Sequence, residues 1–164
     1  MNRNEQPQSA ATGTDHPGSA PTYRLAGHRH GPRRVAVSTE QPLVVSVSRD
    51  KTVRVWDLLK QQELGKLQHE AGRFYDVDIT RSGDLIAGVG ADGLVTLWQW
   101  PDTAPVARLP GHTEPAYSLE LSHDGKVLVS GGLDGRVCVW DPQVRKRIAT
   151  LGPLPGRIKS VAVS

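Results

Sequence analysis

The sequence predicts an all-β protein built from a repeated unit, and three features carry that reading. From residue 23 onward, short runs rich in Val, Leu and Ile, such as Leu43–Val47, Thr52–Trp56 and Val127–Ser130, are separated by Gly, Asp, Ser and Pro. These are β-branched stretches of strand length bounded by turn formers. No segment keeps the i, i+3, i+4, i+7 stripe of an amphipathic helix. The chain also returns on itself every 42 residues: Trp56, Trp98 and Trp140 are in phase, as are Asp50, Asp92 and Asp134, and Val53, Val95 and Val137. Leu25, Leu67, Leu109 and Leu151 keep the same spacing, and so do Ser38, Thr80, Ser122 and Ser164. A sandwich with regular turns shows spacings of about 8–12 residues and no longer period. The unit of architecture is therefore the repeat.

Composition narrows the function classes. The chain has 164 residues, 37% hydrophobic, with a net charge of +3. That charge is too small to imply a nucleic-acid partner by itself. One cysteine, Cys138, excludes a disulfide framework and a multi-cysteine zinc site. No apolar run approaches the roughly 20 residues that span a bilayer, and the polar N-terminus does not read as a secretory signal. A cytoplasmic setting is expected, with neither membrane nor nucleic acid as a partner.

Taken in order, residues 1–22 are polar, rich in small residues and broken by Pro7, Pro17 and Pro21. Such a segment cannot bury enough apolar surface to offset its ordering entropy, and a disordered tail is expected. The folded part is expected to span 23–164, with repeats at about 25–57, 67–99 and 109–141 and a partial unit at 151–164. The third repeat opens on Gly111-His112, continues through Ala116–Lys126 and Val127–Asp134, and closes on Trp140-Asp141. The first opens on Gly27-His28 and closes on Trp56-Asp57. The second departs: His69 has no preceding glycine, Gly88 stands where Ser46 and Ser130 stand, and Trp98 is followed by Gln99. The Gly-His opening, the Trp-Asp close and the 42-residue period together resemble the WD-repeat β-propeller family.

That resemblance implies antiparallel blades of four strands, a to d, running outward from a central axis. In the first blade it implies strands near 33–38, 43–48, 52–57 and 63–67. In the second they fall near 74–80, 85–90, 94–99 and 105–109, and in the third near 116–122, 127–132, 136–141 and 147–151. Tyr23–Leu25 is similar to a strand d, and Ile158–Ser164 to a strand a, of neighbouring blades. The expected fold is thus a propeller segment of three blades plus flanking single strands, its ring not closed. The stretch from Leu25 to Ser164 holds roughly 3.3 units, against a family range of about four to eight blades. Exposed blade faces and self-association through open blade edges are expected to follow.

Two His–Ser–Asp sets, His28/Ser46/Asp50 and His112/Ser130/Asp134, could be taken for hydrolase triads. A triad needs an exposed serine and an oxyanion hole in a cleft, and two copies 84 residues apart argue against one active site. The resemblance implies instead that each set joins its tryptophan, Trp56 or Trp140, in a buried structural hydrogen-bond chain. The corresponding residues of the second repeat are His69, Asp92 and Trp98. With Gly88 lacking a hydroxyl, that blade is expected to be the least rigid.

No catalytic residue, cofactor or metal site is expected. Cys138 alternates with Val137 and Val139 and reads as a packed strand residue. His28-Arg29-His30 lacks acidic or cysteine partners for a metal, and no phosphate-binding glycine motif occurs. The motif Trp-Asp-x-Arg, which in some WD proteins marks substrate receptors of a cullin ubiquitin ligase, is incomplete, with Leu59 and Gln143 at the arginine position. Basic residues cluster at Arg29, Arg33 and Arg34 and again at Arg145–Arg147; solvated loop charge accounts for both.

One column is more specific. Arg33, Tyr75, Tyr117 and Lys159 share the 42-residue phase at the start of strand a. Just before the b–c turn aspartates stand Arg49, Ala91 and Leu133. In WD propellers both positions ring the central opening, where partners dock, and Tyr and Arg are enriched at interface hot spots. Padding of the inner blade edge is the competing reading. The function implied is a non-enzymatic scaffold for other proteins. Two alternatives stand beside it: a regulatory or sensor segment of a multidomain signalling protein, and a binder of anionic ligands or phosphopeptides through Arg29, Arg33, Arg34 and Lys159.

Overall fold

The computed structural model describes residues 24–69 and 72–164. The expected disordered tail at 1–22 and Tyr23 lie outside the described residues. Among those described there are twelve strands and no helix, so none is long and apolar enough to cross a membrane.

Blade 1 is built from β1 (Pro32–Val37), β2 (Leu43–Ser48), β3 (Val53–Asp57) and β4 (Gln62–Leu67). Blade 2 comprises β5 (Phe74–Ile79), β6 (Leu85–Gly90), β7 (Leu94–Gln99) and β8 (Pro105–Pro110). Blade 3 comprises β9 (Ala116–Leu121), β10 (Leu128–Gly132), β11 (Val137–Asp141) and β12 (Lys146–Leu151). Each blade is one antiparallel sheet with its strands in chain order. The register repeats with the sequence: Val45 faces Val55, Ala87 faces Leu97 and Val129 faces Val139. At every tryptophan the pairing of third and fourth strands slips, between Val55 and Trp56, Leu97 and Trp98, and Val139 and Trp140. Such an irregularity adds local twist and re-aims the side chain at its corner.

The hairpin between second and third strands needs a left-handed residue at its third position. Gly93 (φ 72°) and Gly135 (φ 71°) supply it without a Cβ penalty, whereas blade 1 puts Lys51 there at φ 65°.

Two apolar cores sit between blades rather than within one sheet. Val45, Val47, Val53, Val55 and Leu67 of blade 1 pack on Phe74, Val77, Ile79, Ile86 and Trp98 of blade 2. One period later, Ala87, Val89, Val95, Leu97 and Leu109 pack on Leu119, Leu121, Leu128 and Trp140 of blade 3. The middle strands are buried on both faces, which is why β2, β6 and β10 read as near-continuous apolar runs.

Polar stitches cross the inner edge. Asp76 and Asp78 on β5 accept the Leu119 and Leu121 backbone N–H groups at 3.1 and 2.9 Å. Ser118 accepts Val161 N–H at 3.3 Å one period on. These bonds use donors that the inner strand would otherwise leave unpaired. Burial pushes the Asp76 and Asp78 carboxyls up, against the opposing pull of those N–H groups and of Arg34.

The three sheets do not close a ring. Neither described flank forms a strand: 24–31 and 152–164 carry no ladder, so the single strand expected at Ile158–Ser164 is not formed.

Candidate functional site

In blade 1 the Trp56 indole N–H donates to Ser46 Oγ at 2.8 Å. Ser46 Oγ lies 2.7 Å from His28 Nε2, and His28 Nδ1 lies 2.9 Å from Asp50 Oδ2. The indole can only donate, so the serine hydroxyl donates onward to Nε2, which places the imidazole proton on Nδ1, facing the carboxylate. Asp50 also accepts the Arg29 and Thr52 N–H groups, both at 2.9 Å, and the Thr52 hydroxyl at 2.6 Å. Burial pulls its carboxyl upward, but the bonds from Thr52, His28 and Arg29 outweigh this and hold it well below the ordinary range.

Blade 3 repeats the chain: Trp140 to Ser130 at 2.9 Å, Ser130 to His112 Nε2 at 2.8 Å, and His112 Nδ1 to Asp134 at 3.0 Å. Thr113 N–H closes on Asp134 at 3.0 Å. Asp134 is likewise lowered, burial opposing and the His112 and Thr113 bonds prevailing. Both serines are buried, and their hydroxyls are committed between an indole and an imidazole. Ser46 borders a cleft on the free face of blade 1, but its hydroxyl is held between Trp56 and His28 rather than presented to that cleft as a nucleophile would have to be.

The glycine before each histidine follows from the same packing. A Cβ on Gly27 would stand 2.8 Å from Trp56 Cη2, and one on Gly111 would collide with the Trp140 ring. His69 occupies that column in blade 2, and this corrects the sequence expectation: among the described residues no hydrogen bond joins His69, Asp92 and Trp98. His69 Nε2 turns to the Lys51 carbonyl at 2.7 Å, and Asp92 caps its own turn at Leu94 N. Trp98 donates to the Gln68 carbonyl at 2.9 Å. Phe74 fills the space: its ring lies 4.8 Å from His69 and 5.5 Å from Trp98, against Gly88, where a Cβ would come within 3.0 Å of it.

The Arg33 column is drawn together in space. Tyr75 and Tyr117 stack with centroids 4.7 Å apart and planes 8° from parallel. The Arg33 guanidinium sits 4.5 Å from the Tyr75 centroid and 5.9 Å from that of Tyr117, a cation–π arrangement. With Leu133, Arg157 and Lys159 these residues line a cleft of about 570 Å³. Arg49 does not line it; it is exposed on the b–c hairpin of blade 1.

Of the expected anion-binding set, Arg33, Arg34 and Lys159 line this same cleft and Arg29 does not. Arg29 lines a separate cleft on the free face of blade 1. Arg34, though in the Tyr cleft, is held to Asp76 at 3.0 Å. Arg157, which the sequence reading did not single out, joins Arg33 and Lys159 there; it lies outside the 42-residue phase that picked out the others. The Asp76 and Asp78 stitches were also missed. Their signal was the polar column Arg34, Asp76, Ser118 and Ser160 inside otherwise apolar strands.

Cys138 is buried, its sulfur 3.8 Å from the Gly111 carbonyl and from Thr150 Oγ1. Among the described residues no group of three His, Cys, Asp or Glu is placed to hold a metal.

The family model for WD domain, G-beta repeat, matches residues 19–57 and 103–141. These are the two stretches whose blades carry the complete Trp–Ser–His–Asp chain. No curated protein matches the chain. Two matched repeats, three four-stranded antiparallel blades and an unclosed ring make this chain a segment of a WD-repeat β-propeller.

Proposed function

We propose that the chain is a non-enzymatic scaffold for protein–protein contacts and that its docking surface is the cleft lined by Arg33, Tyr75, Tyr117, Leu133, Arg157 and Lys159. WD repeats are generally interaction scaffolds, and a blade lattice suits that task because it holds loops and edge side chains in fixed register. The observation that carries the choice of surface is the Arg33–Tyr75–Tyr117 stack. Two amphipathic rings and a guanidinium are already ordered there, so a partner would meet contact area whose side-chain entropy has largely been lost.

The test is the double variant Tyr75→Ala/Tyr117→Ala, compared with the parent for co-purifying proteins and for thermal stability. Loss of a bound protein with the melting temperature held supports docking. A fall in melting temperature with the same bound proteins means the rings are padding and sinks the proposal.

A second reading, an acidic group on the partner, is favoured by the three cations Arg33, Arg157 and Lys159 along one cleft. It requires binding to weaken steeply with salt; salt-insensitive binding excludes it.

A further inference from the structure

Arg33, Tyr75 and Tyr117 share more than a period. Each is the residue that its inner strand leaves out of the ladder. In blade 1 the pairing steps from Pro32–Ser48 to Arg34–Val47, passing over Arg33. In blade 2 it steps from Phe74–Gly90 to Asp76–Val89, passing over Tyr75, and in blade 3 from Ala116–Gly132 to Ser118–Gly131, passing over Tyr117. An extra residue of this kind bends its strand and re-aims its side chain. Three such slips, one per blade, turn three side chains into the single Arg33–Tyr75–Tyr117 stack.

The ladder resumes at Arg34, Asp76 and Ser118, and there one carboxylate meets all three blades. In this column an acceptor reaches the N–H 43 positions on: Asp76 Oδ2 takes Leu119 N–H at 3.1 Å, and Ser118 Oγ takes Val161 N–H at 3.3 Å. At the first junction the column holds Arg34, which can only donate. Val77 N–H, in the place of Leu119 and Val161, is taken instead by Asp76's own Oδ1 at 2.9 Å. Arg34 Nε, from blade 1, donates to that same oxygen at 3.0 Å. The buried Asp76 thus ties blade 1 through Oδ1 and blade 3 through Oδ2, one residue along from each member of the stack. Only a carboxylate can serve all three donors, because an amide has one accepting oxygen and turns its NH₂ toward a donor. Asp78, two residues on, accepts Leu121 and Ile79 N–H, both at 2.9 Å, and sits in regular ladder opposite Ala87.

We propose that Asp76 is the positioning residue of the docking cleft: its carboxylate ties the three slipped strand starts together, so that Arg33, Tyr75 and Tyr117 are presented as one preformed surface. That role serves docking only if the cleft is the docking surface proposed above, whereas the positioning itself is a property of the free molecule. A stack held in this way meets a partner with its side-chain ordering already complete, and without the tie that ordering falls on the binding step.

Two signals of the full chain in solution test this. The near-ultraviolet circular dichroism that Tyr75→Phe removes reports the tyrosine pair, and the ring-current shift of the Arg33 side-chain protons in NMR reports the guanidinium over Tyr75. Asp76→Asn should lose both. Arg34→Gln, at a side chain 59% exposed, should lose the Arg33 shift. Asp78→Asn removes the neighbouring stitch and should keep both signals, a difference that a merely structural carboxylate does not produce. Either signal retained in Asp76→Asn, or either lost in Asp78→Asn, overturns the proposal. An Arg33 shift that survives Arg34→Gln overturns it as well, and decides the matter if Asp76→Asn does not fold. Loss of the stack in Asp76→Asn, with bound proteins unchanged by Tyr75→Ala/Tyr117→Ala, leaves the positioning standing and refutes the docking surface alone.

Discussion

Blades 1 and 3 seat their tryptophan by a polar relay, and blade 2 seats its own by aromatic packing. In the former, Trp56 and Trp140 hand a hydrogen bond through serine and histidine to a carboxylate. In the latter, Trp98 bonds a backbone carbonyl and is wedged by Phe74, whose ring His69 backs in turn. One backbone pattern thus accepts two interiors, provided the indole N–H finds an acceptor and the space around the ring is filled. Departure from the motif suggested that blade 2 would be the least rigid. Blade 2 has both faces covered by other blades and its Trp98 is fully buried, so its rigidity rests on packing rather than on a relay.

The sharpest way to break this comparison is Phe74→Ala. It removes the wedge and leaves a cavity, with an expected loss of about 3–5 kcal/mol in denaturant unfolding. A loss under about 1 kcal/mol would show that blade 2 does not depend on its aromatic cluster.

Ser130→Ala should cost less, about 1–3 kcal/mol, because it strands the Trp140 N–H and the His112 ring nitrogen in a buried site. The same measurement reads it, and Ser46→Ala in the half-buried relay of blade 1 should cost no more than Ser130→Ala.

Acid should separate the two designs. Asp50 and Asp134 are lowered in the folded state, so their contribution is complete above the unfolded carboxylate value of about 3.9 and is lost as pH falls through the folded values. Asp76 and Asp78 are raised, so their contribution is present at low pH and is lost as pH rises through the folded values. The b–c turns of blades 1 and 3 should therefore lose amide protection as the pH falls below about 3.9, while the β5 edge of blade 2 should not. Uniform acid loosening would contradict the assignment.

The smallest effect belongs to the b–c hairpin. Lys51→Gly relieves the left-handed strain that Gly93 and Gly135 avoid and should raise stability by about 1 kcal/mol; Gly135→Lys should cost a similar amount or more, since its Cβ would press on Leu154.

Sequence reading recovered every strand to within two residues, because the 42-residue columns fix register as well as content. It located the tryptophans and the Arg33–Tyr75–Tyr117 column for the same reason. It failed where side chains act across blades or outside the period. The Asp76 and Asp78 carboxylates reach donors on the next blade, which no local pattern encodes. The Phe74 wedge substitutes for a missing hydroxyl by volume, which spacing does not register. Arg29 and Arg49 are close to the cleft residues in sequence but are turned to other surfaces by the loops that carry them.

The stacked tyrosines have an optical consequence. Tyr75 comes from blade 2 and Tyr117 from blade 3, and two phenol chromophores 4.7 Å apart with nearly parallel rings couple their near-ultraviolet transitions. The difference spectrum between the parent and Tyr75→Phe would therefore change when those two blades shift against each other. The molecule thus carries a label-free gauge across its second junction, readable while the concentration, the pH or a bound partner is varied.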